Sequence, residues 1–319
     1  MRYAIECSNW VSPASGAVTT AVVMANNPDS MEASQAITRR SASNLAPAFL
    51  ALDRSRRLAM SALYAFCREV DDIADEEKSP LETRRAELDH WREDVRRACE
   101  GGNPEKVVVQ ELQPVIEKYA LKFECFDELI LGVETDVVQD RHETFEDLDR
   151  YCYRVASVVG LLSIEIFGYR NDDCQNYAVH LGKALQLTNI LRDVGSDAER
   201  GRIYLPQEAM EKYGLDPRSL LALKYSTAFH NLAVEIALRA RDHYQKAAEL
   251  LPFEDRRSMI AAECMGAVYW RLLRVMEQAK FRVVNPEPTR VSGARRMSVF
   301  FTVWFRIRFG LQGFNYGQD

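Results

Sequence analysis

From Glu32 onward the chain repeats apolar residues at helical spacing almost without a break, and this feature restricts its fold more than any other. Between Ser226 and Leu251, the residues Phe229, Leu232, Ala233, Ile236, Ala240, Tyr244, Ala247 and Leu251 follow the i, i+3, i+4, i+7 rule and share one stripe. Similar stripes run over Arg54–Glu77, Leu81–Cys99, Phe123–Asp140, Phe145–Phe167, Cys174–Asp197 and Glu254–Phe281. Turn residues separate them at Ser79-Pro80, Gly101 to Pro104, Gly168 to Asn171, Gly201 to Pro206, Gly214 to Pro217 and Pro252. The β-branched run Val107–Val109 is a weak strand signal in a stretch that also reads as helix. An all-α protein is therefore expected. A length of 319 residues would allow two domains, but no long linker or internal repeat divides the pattern. The expected organisation is a disordered extension over residues 1–30, one helical domain over 31–284, and a basic, aromatic segment over 285–319.

Charge and cysteine usage then narrow the function. With 41 Lys and Arg against 47 Asp and Glu, the net charge of −6 leaves no general basic field for nucleic acid, so an anionic ligand needs local arginines or a bound metal. Seven cysteines without a CxxC pair sit in mostly apolar surroundings, which points to a reducing cytoplasm. No apolar run approaches the ~18 residues that would span a bilayer. Met1 to Asn27 lacks the basic start of a signal peptide. The five histidines show no HExxH spacing, and neither a Walker A loop nor GxGxxG is present, so zinc and those types of nucleotide site are not expected.

Two acidic constellations carry the chemistry. In Tyr64 to Asp75, Asp71 and Asp75 lie one helical turn apart on one face, with Arg68 three residues before Asp71. Carboxylates so placed repel unless a cation lies between them, and Mg²⁺, a hard ion held by one or two carboxylates plus substrate phosphates, suits the pair. A solvated acidic helix end is the plainer alternative. In Gln186 to Asp197, Asn189, Asp193 and Asp197 form a line at i, i+4, i+8 among apolar neighbours, so that line is expected to face an enclosed space. If the two clusters face each other they can clamp Mg²⁺ and a diphosphate, with Arg68, Arg192 and Arg202 neutralising the remaining charge. Departure of diphosphate from an allylic carbon, with apolar walls sheltering the cation, is then the expected reaction class: Mg²⁺-dependent prenyl transfer. A third pair at this spacing, Asp136 and Asp140, reads either as a weak third acidic cluster or, more plainly, as part of a surface helix.

Three ordered motifs, YAFCREVDDIAD (Tyr64 to Asp75), YCYRVASVVG (Tyr151 to Gly160) and QLTNILRDVGSDAERGRIYLP (Gln186 to Pro206), resemble the squalene/phytoene synthase family over about Ser41 to Phe281. FCREVDD together with RVASVVGLLS is most similar to its bacterial hopanoid-pathway branch, which makes presqualene diphosphate. The resemblance implies a single-domain class I isoprenoid synthase bundle around a central cavity. It implies metal ligation by Asp71, Asp75, Asn189, Asp193 and Asp197. It further implies a pocket or lid formed by Ser43, Tyr64, Arg68, Tyr151, Val159, Gly160, Gln186, Arg192, Arg202 and Tyr204. Tyr64, Tyr151 and Val159 also read as plain core, and Gly160 as a close-packing residue. The family's aromatic shortly after the entrance serine is replaced here by Asn44-Leu45. The implied reaction joins two farnesyl diphosphates head to head into presqualene diphosphate, with Tyr151 or the departing diphosphate taking the proton. NADPH enters only if the protein continues to squalene. Phytoene synthesis from twenty-carbon donors, a terpene cyclase and a non-catalytic helical assembly factor are the alternatives. Downstream isoprenoid enzymes are conceivable partners.

From Thr289 to Asp319, Arg290, Arg295, Arg296, Arg306 and Arg308 stand against one acid, Asp319, and are interleaved with Val299 to Phe305. Such a segment reads either as a helix on the anionic inner face of the membrane or as a terminal helix docked on its own domain.

Overall fold

The computed structural model describes residues 31–40, 46–49, 51–76, 79–138, 141–311, 314 and 316; the extension over 1–30, Ser43 and Asp140 lie outside the described residues. The stripes become helices in the order α1 (Glu32–Arg40), α2 (Ala46–Phe49), α3 (Arg54–Asp75), α4 (Leu81–Cys99), α5 (Val107–Tyr119), α6 (Phe123–Val138) and α7 (Phe145–Cys152). They continue with α8 (Val158–Phe167), α9 (Asp173–Glu199), α10 (Gln207–Tyr213), α11 (Pro217–Leu221), α12 (Thr227–Leu250), α13 (Ile260–Gln278) and α14 (Gly293–Arg308). No strand occurs among the described residues, and Val107–Val109 opens helix α5.

Local chemistry sets the helix starts. Asp53 caps α3 by accepting from the Arg56 amide at 2.9 Å, Ser226 caps α12 by accepting from the Phe229 amide at 3.1 Å, and Thr144 and Asp147 form a reciprocal capping box at α7. At its other end, α3 leaves the Ala74 carbonyl to accept from Arg202 at 2.8 Å and Arg84 at 3.3 Å, which places cations at the negative end of the helix dipole.

Two long helices organise the bundle. Helix α3 packs against α1, α4, α5, α6 and α8, while α9 packs against α7, α8, α11, α12 and α13. Helix α9 is buried over most of its length, and it buries Gln186, Thr188, Asn189, Arg192, Asp193 and Ser196 along with its apolar residues. A helix buried on nearly all sides must satisfy its polar groups internally: Thr188 donates to the Ala184 carbonyl at 2.7 Å and meets the Tyr244 hydroxyl at 3.1 Å. Small residues let neighbours approach it. A Cβ at Gly182 would stand 2.6 Å from the Ser157 Cα, and one at Gly195 would stand 1.9 Å from the Asn285 carbonyl oxygen.

One stretch departs from the sequence pattern. Phe145–Phe167, which reads as a single helix, is interrupted by a π-turn over Tyr153–Ser157, closed by the Val158 amide donating to the Tyr153 carbonyl. Such turns insert one residue into a helix and rotate the helical face beyond the insertion. Here the turn packs directly on α9 at Gly182, with Ser157 donating to the Val179 carbonyl at 2.8 Å.

Candidate active site

Between α2, α3, α8, α9 and α13 lies an apolar cavity. Met60, Leu63, Tyr64 and Cys67 line it from α3, Ala156 from the π-turn, and Val159, Gly160, Ser163, Ile164 and Phe167 from α8. From α9 come Tyr177, Leu181, Leu185, Gln186 and Asn189, and from α13 Ala261, Ala262 and Met265. Of the residues that sequence reasoning assigns to a pocket, Tyr64, Val159, Gly160 and Gln186 therefore meet around one space, joined by Asn189. Gly160 serves both of its readings, because a Cβ there would also stand 3.0 Å from the Ala178 carbonyl oxygen.

Past Tyr64 and Cys67, α3 turns polar. Asp71 is fully buried, and Arg68 reaches it at 3.6 Å while also pairing with Asp72. Burial raises the Asp71 carboxyl to about 7, and the nearby carboxylates Asp75 and Asp136 push in the same direction against Arg68. One turn on, Asp75 accepts from Arg202 at 3.0 Å and Arg200 at 3.2 Å. These contacts tie the end of α3 to the loop after α9, so the two acidic segments are neighbours in space although more than a hundred residues separate them.

Helix α9 presents its line differently. Asn189 faces the cavity, whereas the buried Asp193 is held in a bidentate clasp by Arg192, with Nε at 2.9 Å and Nη2 at 2.6 Å. Against burial, which would lower it, the Asp193 carboxylate holds Arg192 firmly charged. Arg192 does not line the main cavity; it borders a small cleft beside Tyr269, Thr289, Arg290 and Arg296. Removing one partner from so buried a pair costs about 3–5 kcal/mol. Burial pushes the Tyr204 phenol well above its ordinary value, and the Asp136 and Asp197 carboxylates add to it. Among the described residues, no three His, Cys, Asp or Glu side chains gather tightly enough to hold a metal by themselves.

The third acidic pair corrects an expectation. Asp136 does not project from a surface helix: it accepts from the buried Tyr151 hydroxyl at 3.0 Å and acts on Asp71, Arg202 and Tyr204. Tyr151 stacks on Tyr204 at 5.4 Å between ring centres, and the buried His142 leans on Tyr151 at 4.8 Å. Burial pushes the Tyr151 phenol well above its ordinary value, reinforced by the Asp136 carboxylate, and burial lowers His142. The sequence singles out Tyr151, Arg202 and Tyr204 and offers Asp136 as a weak third cluster, but gives no mark to His142, Arg200 or Tyr269. The Asp136 spacing was the one available signal; the others carry none, because their partners come from distant helices.

The assembled site is an apolar chamber whose rim carries carboxylates and arginines, a division suited to a ligand with a long hydrocarbon and an anionic head. Comparison with known proteins agrees. The squalene/phytoene synthase family model matches residues 38–296. A presqualene diphosphate synthase of Rhodopseudomonas palustris is 38% identical over 252 residues, covering 78% of this chain and 88% of that protein. A 15-cis-phytoene synthase of Synechococcus elongatus is 33% identical over 274 residues, covering 82% and 88%. The crystal structure of a dehydrosqualene synthase with a ligand superposes with a TM-score of 0.79 at 27% identity, covering 88% of this chain and 96% of that one. The all-α fold is shared with that dehydrosqualene synthase, and the chain belongs to the squalene/phytoene synthase family.

Proposed function

We propose that the protein condenses two farnesyl diphosphates head to head into presqualene diphosphate. The observation that carries this reading is the division of the chamber itself: walls of apolar side chains, with Asp71, Asp75, Arg68 and Arg202 gathered at the end of α3. Its relatives named presqualene diphosphate synthase, 36–39% identical, support the fifteen-carbon donor.

The donor set fits Mg²⁺. Asp71, Asp75, Asn189, Asp193 and Asp197 offer hard oxygen atoms only, and Mg²⁺ takes one or two protein carboxylates together with substrate phosphates rather than a closed protein cage. When bound, the cation supplies neutralising charge for the departing diphosphate. The chain's own groups do the rest. Arg68, Arg200 and Arg202 stand ready to exchange their carboxylate partners for phosphate oxygens. The walls formed by Leu63, Val159, Ile164 and Leu181 keep water from the allylic cation. The proton released when the cyclopropane closes goes to the departing diphosphate or to Tyr151, whose hydroxyl donates to Asp136.

Relatives named phytoene synthase, such as the one from Synechococcus elongatus, favour a second reading with twenty-carbon donors. Purified protein given Mg²⁺ and either farnesyl or geranylgeranyl diphosphate, with and without NADPH, decides between them by mass spectrometry of the lipids. Presqualene diphosphate from farnesyl diphosphate without NADPH is expected. Phytoene from the longer donor, or squalene formed only with NADPH, would replace this reading with a sibling activity, and no turnover of either donor would favour a non-catalytic role.

A further inference from the structure

Helix α14 has two faces with opposite surroundings. Phe300, Val303 and Ile307 are buried against Ile260, Cys264 and Ala267 of α13. On the outer side Phe301, Phe305 and Phe309 recur at i, i+4, i+8 and are 57%, 52% and 62% exposed, and Leu311 comes next at 51%. The rings of Phe305 and Phe309 meet at 4.4 Å between centres, so part of the apolar surface is contiguous. A lone exposed apolar residue needs no explanation, whereas an aromatic stripe two turns long marks a contact surface. Arg295 and Arg308 are exposed beside it. The helix carries four arginines and no acid, in a chain whose net charge is −6.

The place of this helix in the bundle gives the stripe a direction. The face of α13 opposite α14 contributes Ala261, Ala262 and Met265 to the apolar chamber, and α2 contributes Ala48 and Phe49. Helix α14 packs on both α13 and α2. The exposed phenylalanines therefore stand one helical layer outside the hydrocarbon end of the cavity.

We propose that α14 seats the protein on an anionic lipid surface, with Phe301, Phe305 and Phe309 entering the interface and Arg295 and Arg308 meeting lipid phosphates. Basic, aromatic amphipathic helices bind such surfaces by combining buried apolar area with attraction to anionic headgroups. A second copy of the chain fits the stripe less well, because a two-fold contact would set one arginine-flanked face against another. In this orientation the apolar wall of the chamber, rather than its acidic rim, turns toward the bilayer.

Co-sedimentation of the full chain with vesicles tests this without reference to turnover, so it stands or falls separately from the proposed reaction. The protein is expected to pellet with vesicles of equal parts phosphatidylglycerol and phosphatidylcholine, to remain in the supernatant with phosphatidylcholine alone, and to be released by raised salt. Replacing Phe301, Phe305 and Phe309 together by Ser, or reversing charge with Arg295→Glu and Arg308→Glu, should reduce the bound fraction about tenfold. The salt series uses the unaltered chain and so holds even if a variant folds poorly. Absence of unaltered protein from the anionic pellet, or pelleting of folded variants to the same extent, would overturn the proposal. Light scattering showing a dimer that the triple Phe variant converts to monomer would assign the stripe to a second copy instead.

Discussion

Two fully buried carboxylates, Asp71 at the rim of the chamber and Glu263 behind its wall, are both raised by burial to about 7, yet their surroundings differ. Asp71 has charged company: Arg68 at 3.6 Å, then Asp75 and Asp136. Glu263 sits on α13, accepting from the Tyr177 hydroxyl at 2.8 Å, with Tyr316 also beside it and, among the described residues, no carboxylate but only the Arg256 charge acting on it. Burial fixes the direction of both shifts, and the neighbours decide what the group is for. A carboxylate set among other carboxylates and arginines is arranged to receive an ionic ligand. One that accepts from phenols inside the core belongs to the packing, where burial holds its proton to higher pH although those donors favour the ionised form.

The largest effect should separate the two sites by activity. Asp71→Asn keeps the shape and removes the charge, and is expected to lower kcat about 100-fold to 1,000-fold with little change in melting temperature; Glu263→Gln should leave steady-state turnover within about threefold. Equal losses in both variants would erase the distinction. The next effect is thermodynamic and is read at Glu263, where the Gln variant isolates it from the like-signed contribution of Asp71. Its proton is held up to about 7 in the fold but leaves near the ordinary value of 4.5 in the unfolded chain, so between these values the folded state binds more protons and stability falls as pH rises. Urea midpoints should show unaltered protein losing on the order of 3 kcal/mol relative to Glu263→Gln across that window, at about 1.36 kcal/mol per pKa unit. A difference that does not vary with pH would mean that Glu263 ionises normally. The smallest effect sharpens the phenol side: Tyr177→Phe removes the hydroxyl that donates to Glu263 and should cost about 1 kcal/mol in the same measurement, with turnover retained.

The rim was more legible in the sequence than the wall. Asp71 and Asp75, like Asn189, Asp193 and Asp197, declare themselves by recurring every four residues, and the helices that carry them are visible as stripes. Glu263 gives no such signal, since its partner Tyr177 lies far away in the chain and the pairing exists only once α9 and α13 have packed. Asp136 shows the same limit from the other side: its spacing with Asp140 was visible, but its role depends on Tyr151 and Tyr204 arriving from α7 and the loop after α9. The π-turn was hidden because Tyr151 to Phe167 is apolar enough to satisfy either helical register. Periodicity in Val299 to Phe309 does separate Phe300, Val303 and Ile307 from Phe301, Phe305 and Phe309, but only the packing on α13 shows which set is inward.

The crossing of Asn285 over Gly195 has a consequence for synthesis. Val283 is buried, and Asn285 lies so close to α9 that no side chain fits at position 195, so this strap covers the helix that carries the second acidic segment. It is also among the last described segments to leave the ribosome. Chains emerge at about 5–20 residues per second, and contacts distant in sequence form late. Helix α9 therefore waits at Gly195 for a segment translated several seconds after it.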